Sequence, residues 1–340
     1  MNWLNNLGLV IFLGFPAIVL AHDPLFSEKQ KNITLHYELP KGHVVSVENQ
    51  FGDIKVVYWN KEVAQVHARI TASGVTDEKA NALLQHVQIQ HQKLDNQIQF
   101  KTRFTKTPTP PEKGFRSSLR VDYILQIPRD AELELINSFG DIYMPDHAGK
   151  LTIRQKYGKL YANHLSGSET DVQVSFGQVL IKSMQGGHMK AAYSQVVLDE
   201  VTRSELTNSF GDLHVKIARD VRGVVSYSSG LIDQIKEASA WQVNYAPKFR
   251  INQVDKRTKE IKIQSAYSPV EIPNGHYDFE VRLQNGQFSY QGAEQVILER
   301  QPKTQPNQPI RVYMGKVGSD LKGDTKIYIM SKHGQVKIQP

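Results

Sequence analysis

LINSFGDIYM at 135–144 is the stretch that decides the fold, because five further stretches align to it without gaps. They are IRQKYGKLYA at 153–162, VQVSFGQVLI at 172–181, MKAAYSQVVL at 189–198, LTNSFGDLHV at 206–215 and GVVSYSSGLI at 223–232. The fifth residue is always aromatic: Phe139, Tyr157, Phe176, Tyr193, Phe210 and Tyr227, at steps of 18, 19, 17, 17 and 17 residues. A small residue follows each one: Gly140, Gly158, Gly177, Ser194, Gly211 and Ser228. Single copies stand further out. VENQFGDIKV at 47–56 carries Phe51 and Gly52, IQSAYSPVEI at 263–272 carries Tyr267, and IMSKHGQVKI at 329–338 has His333 in the aromatic slot.

Within each copy the apolar residues alternate. Leu135, Ile153, Val172, Met189 and Leu206 precede the aromatic by four places, and pairs such as Ile142/Met144 and Val179/Ile181 follow it by three and five. Period two means strand, one face in and one out. The aromatic and the residue three after it differ by an odd number, so the small residue between them is expected to kink the chain, with glycine free to take positive φ. A strand–corner–strand unit cannot bury its apolar face alone, and stacking the copies builds a continuous core. The expected fold is mostly β, a single-stranded β-solenoid with coils of 17–19 residues. The aromatics are expected to stack inside it or line a corner; the competing reading makes them an exposed carbohydrate-binding stripe.

Outward from the repeats, residues 22–130 read as a β region with one amphipathic helix at about 76–92. Thr76 is its N-cap, Asp77 and Glu78 occupy its first turn, and Ala80, Leu83, Leu84 and Val87 share one face. The repeats fill 131–275, where 236–258 lacks the motif and fits an insertion or a degenerate coil. Residues 276–340 read as further strands whose last coil caps the stack, and 106–114 and 301–309 are proline-rich loops.

The first 21 residues read as a signal peptide. Leu7 to Leu20 form an uncharged apolar run of 14 residues, short of the roughly 20 that a spanning helix needs. The run ends Val19-Leu20-Ala21, so the exported chain is expected to begin at His22. MNWLNN carries no Lys or Arg, which leaves an uncleaved anchor as the alternative.

The whole chain has 340 residues, 40% of them hydrophobic and 22% charged, the balance of a folded protein. It has no cysteine, which excludes disulfides, thiolate metal sites, a cysteine nucleophile and a lipidated cysteine. Its net charge of +7 suits an anionic partner, but no Lys/Arg-rich run occurs, and export argues against a nucleic-acid task.

An exported chain, an early FGDI copy, a helix after the first strands, and then a series of Phe/Tyr-Gly rungs together resemble the putative-adhesin family, also called the toast-rack domain, of bacterial cell-envelope proteins. The resemblance covers roughly residues 45–272. It implies an elongated β-solenoid with an adhesion or envelope-stress role, and it supplies no catalytic residues to carry over.

Candidate chemistry is sparse. Asp53, Asp141 and Asp212 each follow Phe-Gly, with Asn49, Asn137 and Asn208 four residues earlier. Aligned oxygens suit Ca²⁺, while Asp and Asn also favour turns by bonding nearby amides. Lys159, Gln178 and Gln195 fill the aspartate slot in the copies between. His147 and His164 lie 17 residues apart, so they would meet on adjacent coils and could begin a metal site. The outward positions Arg154, Lys156, Gln173, Lys190 and Thr207 form no acidic column of the kind a polysaccharide-cleaving β-helix uses. The expectation is a non-enzymatic, cofactor-free binding scaffold at the cell envelope, periplasmic or on the surface, with an envelope glycan or protein as its partner. The alternatives are an envelope-stress or protein-interaction module and, third, a polysaccharide-acting enzyme.

Overall fold

The structure, a computed structural model, describes residues 27–105, 118–291, 295–300, 310–318 and 325–339. The signal-peptide reading and both proline-rich loops lie outside these residues. Among the described residues the chain is mostly β, in one 14-stranded and one 15-stranded sheet, with the helix Asp77–Gln85.

The two sheets face each other, and each repeat contributes one strand to each. The strand before the aromatic joins what is here called the entry sheet, and the strand after it joins the exit sheet. Glu132–Ser138, Leu151–Lys156, Thr170–Ser175, His188–Ala192, Glu205–Ser209 and Val221–Ser226 stack in parallel in the entry sheet. Ile142–Met144, Lys159–Leu165, Gln178–Gln185, Gln195–Thr202, Asp212–Arg219 and Ser229–Ile235 do the same in the exit sheet. Register is held by burial. Leu135, Ile153, Val172, Met189 and Leu206 form one inner column, and Ile142, Leu160, Val179, Val196 and Leu213 face it. A slip of one residue would turn every such side chain to water.

The corner between the sheets differs from the sequence expectation. Positive φ falls on the aromatic: the ten corner residues from Phe51 to His333 have φ between 52° and 61°. The following glycine is needed for space. A Cβ on Gly52, Gly140, Gly158, Gly177 or Gly211 would lie 2.0–2.1 Å from a carbonyl oxygen of the preceding rung. Where serine takes the slot, its hydroxyl is bonded instead. Ser194 Oγ accepts from Gly177 N at 3.2 Å, and Ser228 Oγ from Gly211 N at 3.0 Å.

The stack is longer than the sequence copies suggest. Val44–Gln50 pairs directly with Glu132–Ser138, which puts Phe51 beside Phe139. Most of the described residues from 59 to 131, together with Ser27–Glu38 from before Val44, form an excursion that closes one end. Val63–Gly74 and Ser27–Glu38 add antiparallel strands to the exit sheet, and Gln97–Phe104 and Val87–Leu94 extend the entry sheet. The helix packs on the first two of these strands, with Thr76 Oγ1 accepting from Lys79 N at 3.3 Å and Lys29 paired to Asp77 at 2.7 Å. It ends at Gln85 rather than continuing to residue 92. Val87–Leu94 alternates, and its β-branched Val87 and Ile89 settle on the core as an edge strand.

Residues 236–258 hold a further coil, with Tyr245 at the corner. One extra residue in Ala246-Pro247-Lys248 moves the first core-facing residue of the exit strand, Phe249, to four places after the aromatic. The reading of the last coil as a cap is also overturned. Lys326–Lys332 and Gln335–Gln339 lie between the Tyr267 coil and a coil formed earlier in the chain by Tyr277–Gln284 and Gln287–Tyr290. Ile310–Val317 and Gln295–Arg300 then close the entry sheet in antiparallel pairing.

Candidate functional site

The corner aromatics form one continuous stack. From Phe51 through Phe139, Tyr157, Phe176, Tyr193, Phe210, Tyr227, Tyr245 and Tyr267 to His333, centroids are 4.8–5.3 Å apart and planes 3–14° from parallel. The stack runs along the outside, against the expectation of an internal ladder: Phe139 is 50% exposed and Tyr193 52%. With an aromatic in the left-handed region, the ring swings out of the sandwich edge. Each such residue costs about 1–3 kcal/mol, part of which is offset by roughly 0.5–1.5 kcal/mol per stacked pair. Stacking covers the ring faces, so the stripe offers water only ring edges.

The aspartates and asparagines bind backbone. Asp53 Oδ1 accepts from Asp141 N, and Asp141 Oδ1 from Lys159 N, both at 2.8 Å, so each carboxylate ties its corner to the next. Asp53 also pairs with Arg120 at 2.7 Å. Asn49 donates to Val121 O at 2.8 Å and Asn137 to Gly52 O at 3.0 Å, both from inside the corner. Gln155 donates to Gly140 O in the same column. Asn208 is buried further along that column, and neither of its amide atoms is bonded among the described residues. Asp212 is exposed, four coils from Asp141.

His147 and His164 do sit on adjacent coils, His147 N donating to His164 O at 2.7 Å. Their rings part company. His147 is buried against Tyr58, whose hydroxyl lies 2.8 Å from His147 Nδ1, and burial holds its pKa down to about 4. His164 is exposed. Among the described residues no group of three or more His, Asp or Glu side chains converges as a metal site.

The two outer faces differ. The entry face is polar, with cross-coil pairs such as His188–Glu205 at 3.1 Å and Arg222–Glu205 at 3.7 Å. On the exit face, Tyr143, Tyr161, Leu180, Val197, His214 and Leu231 fall in one outward column. Tyr143 and Tyr161 stack at 5.1 Å. A groove of about 590 Å³ runs over the first four of these residues, bordered by Lys55, Lys182 and the ion pair Lys216–Asp199. That volume is in the usual range for a ligand site, and the mixture of an apolar floor with a few charged groups on the rim is the usual composition. Spanning six strands at roughly 4.8 Å each, the groove runs across the coils.

No family model matches the chain, and no curated protein does either. Several solved structures do. A "putative adhesin" from Parabacteroides merdae is 14% identical, with 71% of this chain and 96% of that one covered, at a TM-score of 0.34. A "putative adhesin" from Bacteroides fragilis is 9% identical over 91% and 97% of the two chains, at 0.27. A "putative cell adhesion protein" from Clostridium sporogenes is 9% identical over 92% and 99%, at 0.19.

The exit-face column was missed in the sequence, although its signal is visible there. The triplets IYM, LYA, VLI and VVL within the repeats are apolar at all three places. The outer two face the core, so a third apolar residue between them must face out. Among the described residues no helix is long and apolar enough to cross a membrane.

Proposed function

We propose that this chain is an exported, non-enzymatic β-solenoid that serves as an adhesion or binding scaffold at the bacterial cell envelope. The observation that carries the proposal is the exit-face groove, an outward apolar column crossing successive coils while the opposite face is polar. Such a surface suits an extended partner, because a stack of coils presents the same residue position again and again along its length. The carboxylates on the exit face support the non-enzymatic reading. Asp199 is tied to Lys216 at 2.7 Å, and Asp233 to His214 at 2.7 Å and to Asn252 at 3.0 Å, so they are engaged in holding coils together.

The test is a binding assay of beads coated with the purified chain against whole cells and isolated envelope fractions. A Tyr161→Ser/Leu180→Ser variant is expected to lose binding, while an Arg154→Ser variant on the entry face keeps it. Equal binding by both variants sinks the reading. The apolar character of the column also favours a second reading, an interaction module for another envelope protein. Protease treatment of the cells separates the two: it abolishes binding to a protein and leaves binding to a glycan.

A further inference from the structure

Every ring of the corner stack from Phe51 to Tyr267 has an aromatic neighbour on both sides. The first, Phe51, is closed off by Phe104, edge-on at 5.7 Å. At the other end the pattern breaks. His333 stacks on Tyr267 at 4.8 Å, and the next coil puts Asn285, with φ 53°, in the aromatic slot. Among the described residues no ring covers the second face of His333.

A cleft of about 520 Å³ opens at this break, lined by His333, Asn285, Gln287, Gln335, Tyr267 and Arg311. Arg311 reaches it from the antiparallel strand Ile310–Val317 and is steered by one hydrogen bond, Nη2 to Gly286 O at 2.8 Å. Among the described residues its other N–H donors have no further hydrogen-bond partner and no carboxylate pairs with it. No Asp or Glu among the described residues lines the cleft. Its charge is therefore positive, its walls carry carboxamides, and its end wall is the edge of an aromatic stack.

These groups match one chemistry. A pyranose ring has a C–H face that sits on the negative face of an aromatic ring, and a rim of hydroxyls that both donate and accept. Carboxamides also do both. A guanidinium holds a carboxylate through two parallel bonds. We propose that the end of the stack is a subsite for one acidic sugar residue, of uronic-acid type, within a longer polysaccharide. The proposal rests on the binding-scaffold reading and assigns it a second contact point, away from the exit-face groove.

The experiment is titration of the full chain, followed by calorimetry or NMR, with a galacturonic-acid trimer and a neutral galactose trimer. The acidic trimer is expected to bind with a Kd on the order of 1 mM, and the neutral one about tenfold more weakly. Arg311→Ala should cost about tenfold, and Arg311→Lys less, because lysine keeps the charge but not the fork. His333→Asn should weaken binding severalfold with the fold intact, since Asn285 already occupies the equivalent corner. The groove variant Tyr161→Ser/Leu180→Ser should bind the trimer as the native chain does. Equal affinity for the two trimers, an unaffected Arg311→Ala, or no saturable binding up to about 20 mM overturns the subsite. If the trimer fails while the groove variant still loses envelope binding, the subsite falls and the scaffold reading stands; the reverse outcome removes the groove and keeps the subsite.

Discussion

Trp241 occupies the space that a side chain on Gly223 would need. The two residues are register partners on adjacent coils, and a Cβ on Gly223 would lie 2.1 Å from Trp241 Cζ3. The same coil makes a second allowance, because a Cβ on Gly230 would lie 2.6 Å from Phe249 Cδ2. The Tyr227 coil is thus hollowed by two glycines to receive two large rings, themselves 5.5 Å apart. Gly223→Ala should destabilise by roughly 1–3 kcal/mol through overpacking. Adding Trp241→Leu should return part of that loss, so that the double variant is more stable than the sum of the singles implies. Urea unfolding of the four proteins checks it; strict additivity contradicts the packing account.

Asn208 is buried between Ala191 and Val225 in the inner column, and neither amide atom has a partner among the described residues. A buried amide left unbonded costs about 1–3 kcal/mol. Asn208→Val matches its column neighbour and should raise stability by about 1 kcal/mol in the same urea assay. Asn137→Val should do the opposite, because Asn137 donates to Gly52 O at 3.0 Å. A stabilised Asn137→Val would show that the inner corner bonds contribute nothing.

His147 is neutral in the folded chain down to about pH 4, because burial opposes its charge. In the unfolded chain its pKa is near 6.5. Between these values the unfolded state binds the extra proton, so stability falls as pH falls from about 6.5 to about 4, by roughly 3 kcal/mol at most. His147→Phe keeps a ring beside Tyr58 and removes the titration. Comparing native and variant unfolding free energies at several pH values should show the native curve steeper by up to one proton over that window. Parallel curves would mean that the ring does not stay buried.

Tyr193 has φ 52° and rings at 4.9 Å on either side. Tyr193→Asn loses the stacking but tolerates the backbone, and should cost on the order of 1–2 kcal/mol. Tyr193→Val loses the stacking and forces a β-branched residue into the left-handed region, which adds about 1–3 kcal/mol. Thermal melts of the two variants rank them. If valine is tolerated as well as asparagine, the corner carries no backbone strain.

The stack was legible in the sequence because three signals coincide at each corner: an aromatic, a small residue and flanking period-two burial. Where one signal shifted, legibility ended. The Tyr245 coil was legible only as one of two alternatives, an insertion or a degenerate coil, because of the extra residue before Phe249. The side of the wall on which the rings lie depends on which corner residue takes positive φ, and glycine was the natural choice until its crowding by the preceding carbonyl was known. The helix overran to residue 92 because Val87 continues its apolar face, whereas pairing with Gln97–Phe104 settles that residue in a strand. The cleft at the end of the stack had no sequence signal. Arg311, Asn285 and His333 are brought together only by a coil order that departs from chain order.

That departure has a consequence for the order of folding. The coil around Asn285 comes earlier in the chain than the one that must lie beneath it, residues 326–339. It has nothing to dock on until those later residues arrive and slide in between. Growth of the structure can follow chain order rung by rung as far as Tyr267, and there it has to pause. During that interval the Tyr267 coil presents two open strand edges in parallel orientation, a time at which a chaperone, or a neighbouring nascent chain, has access to it.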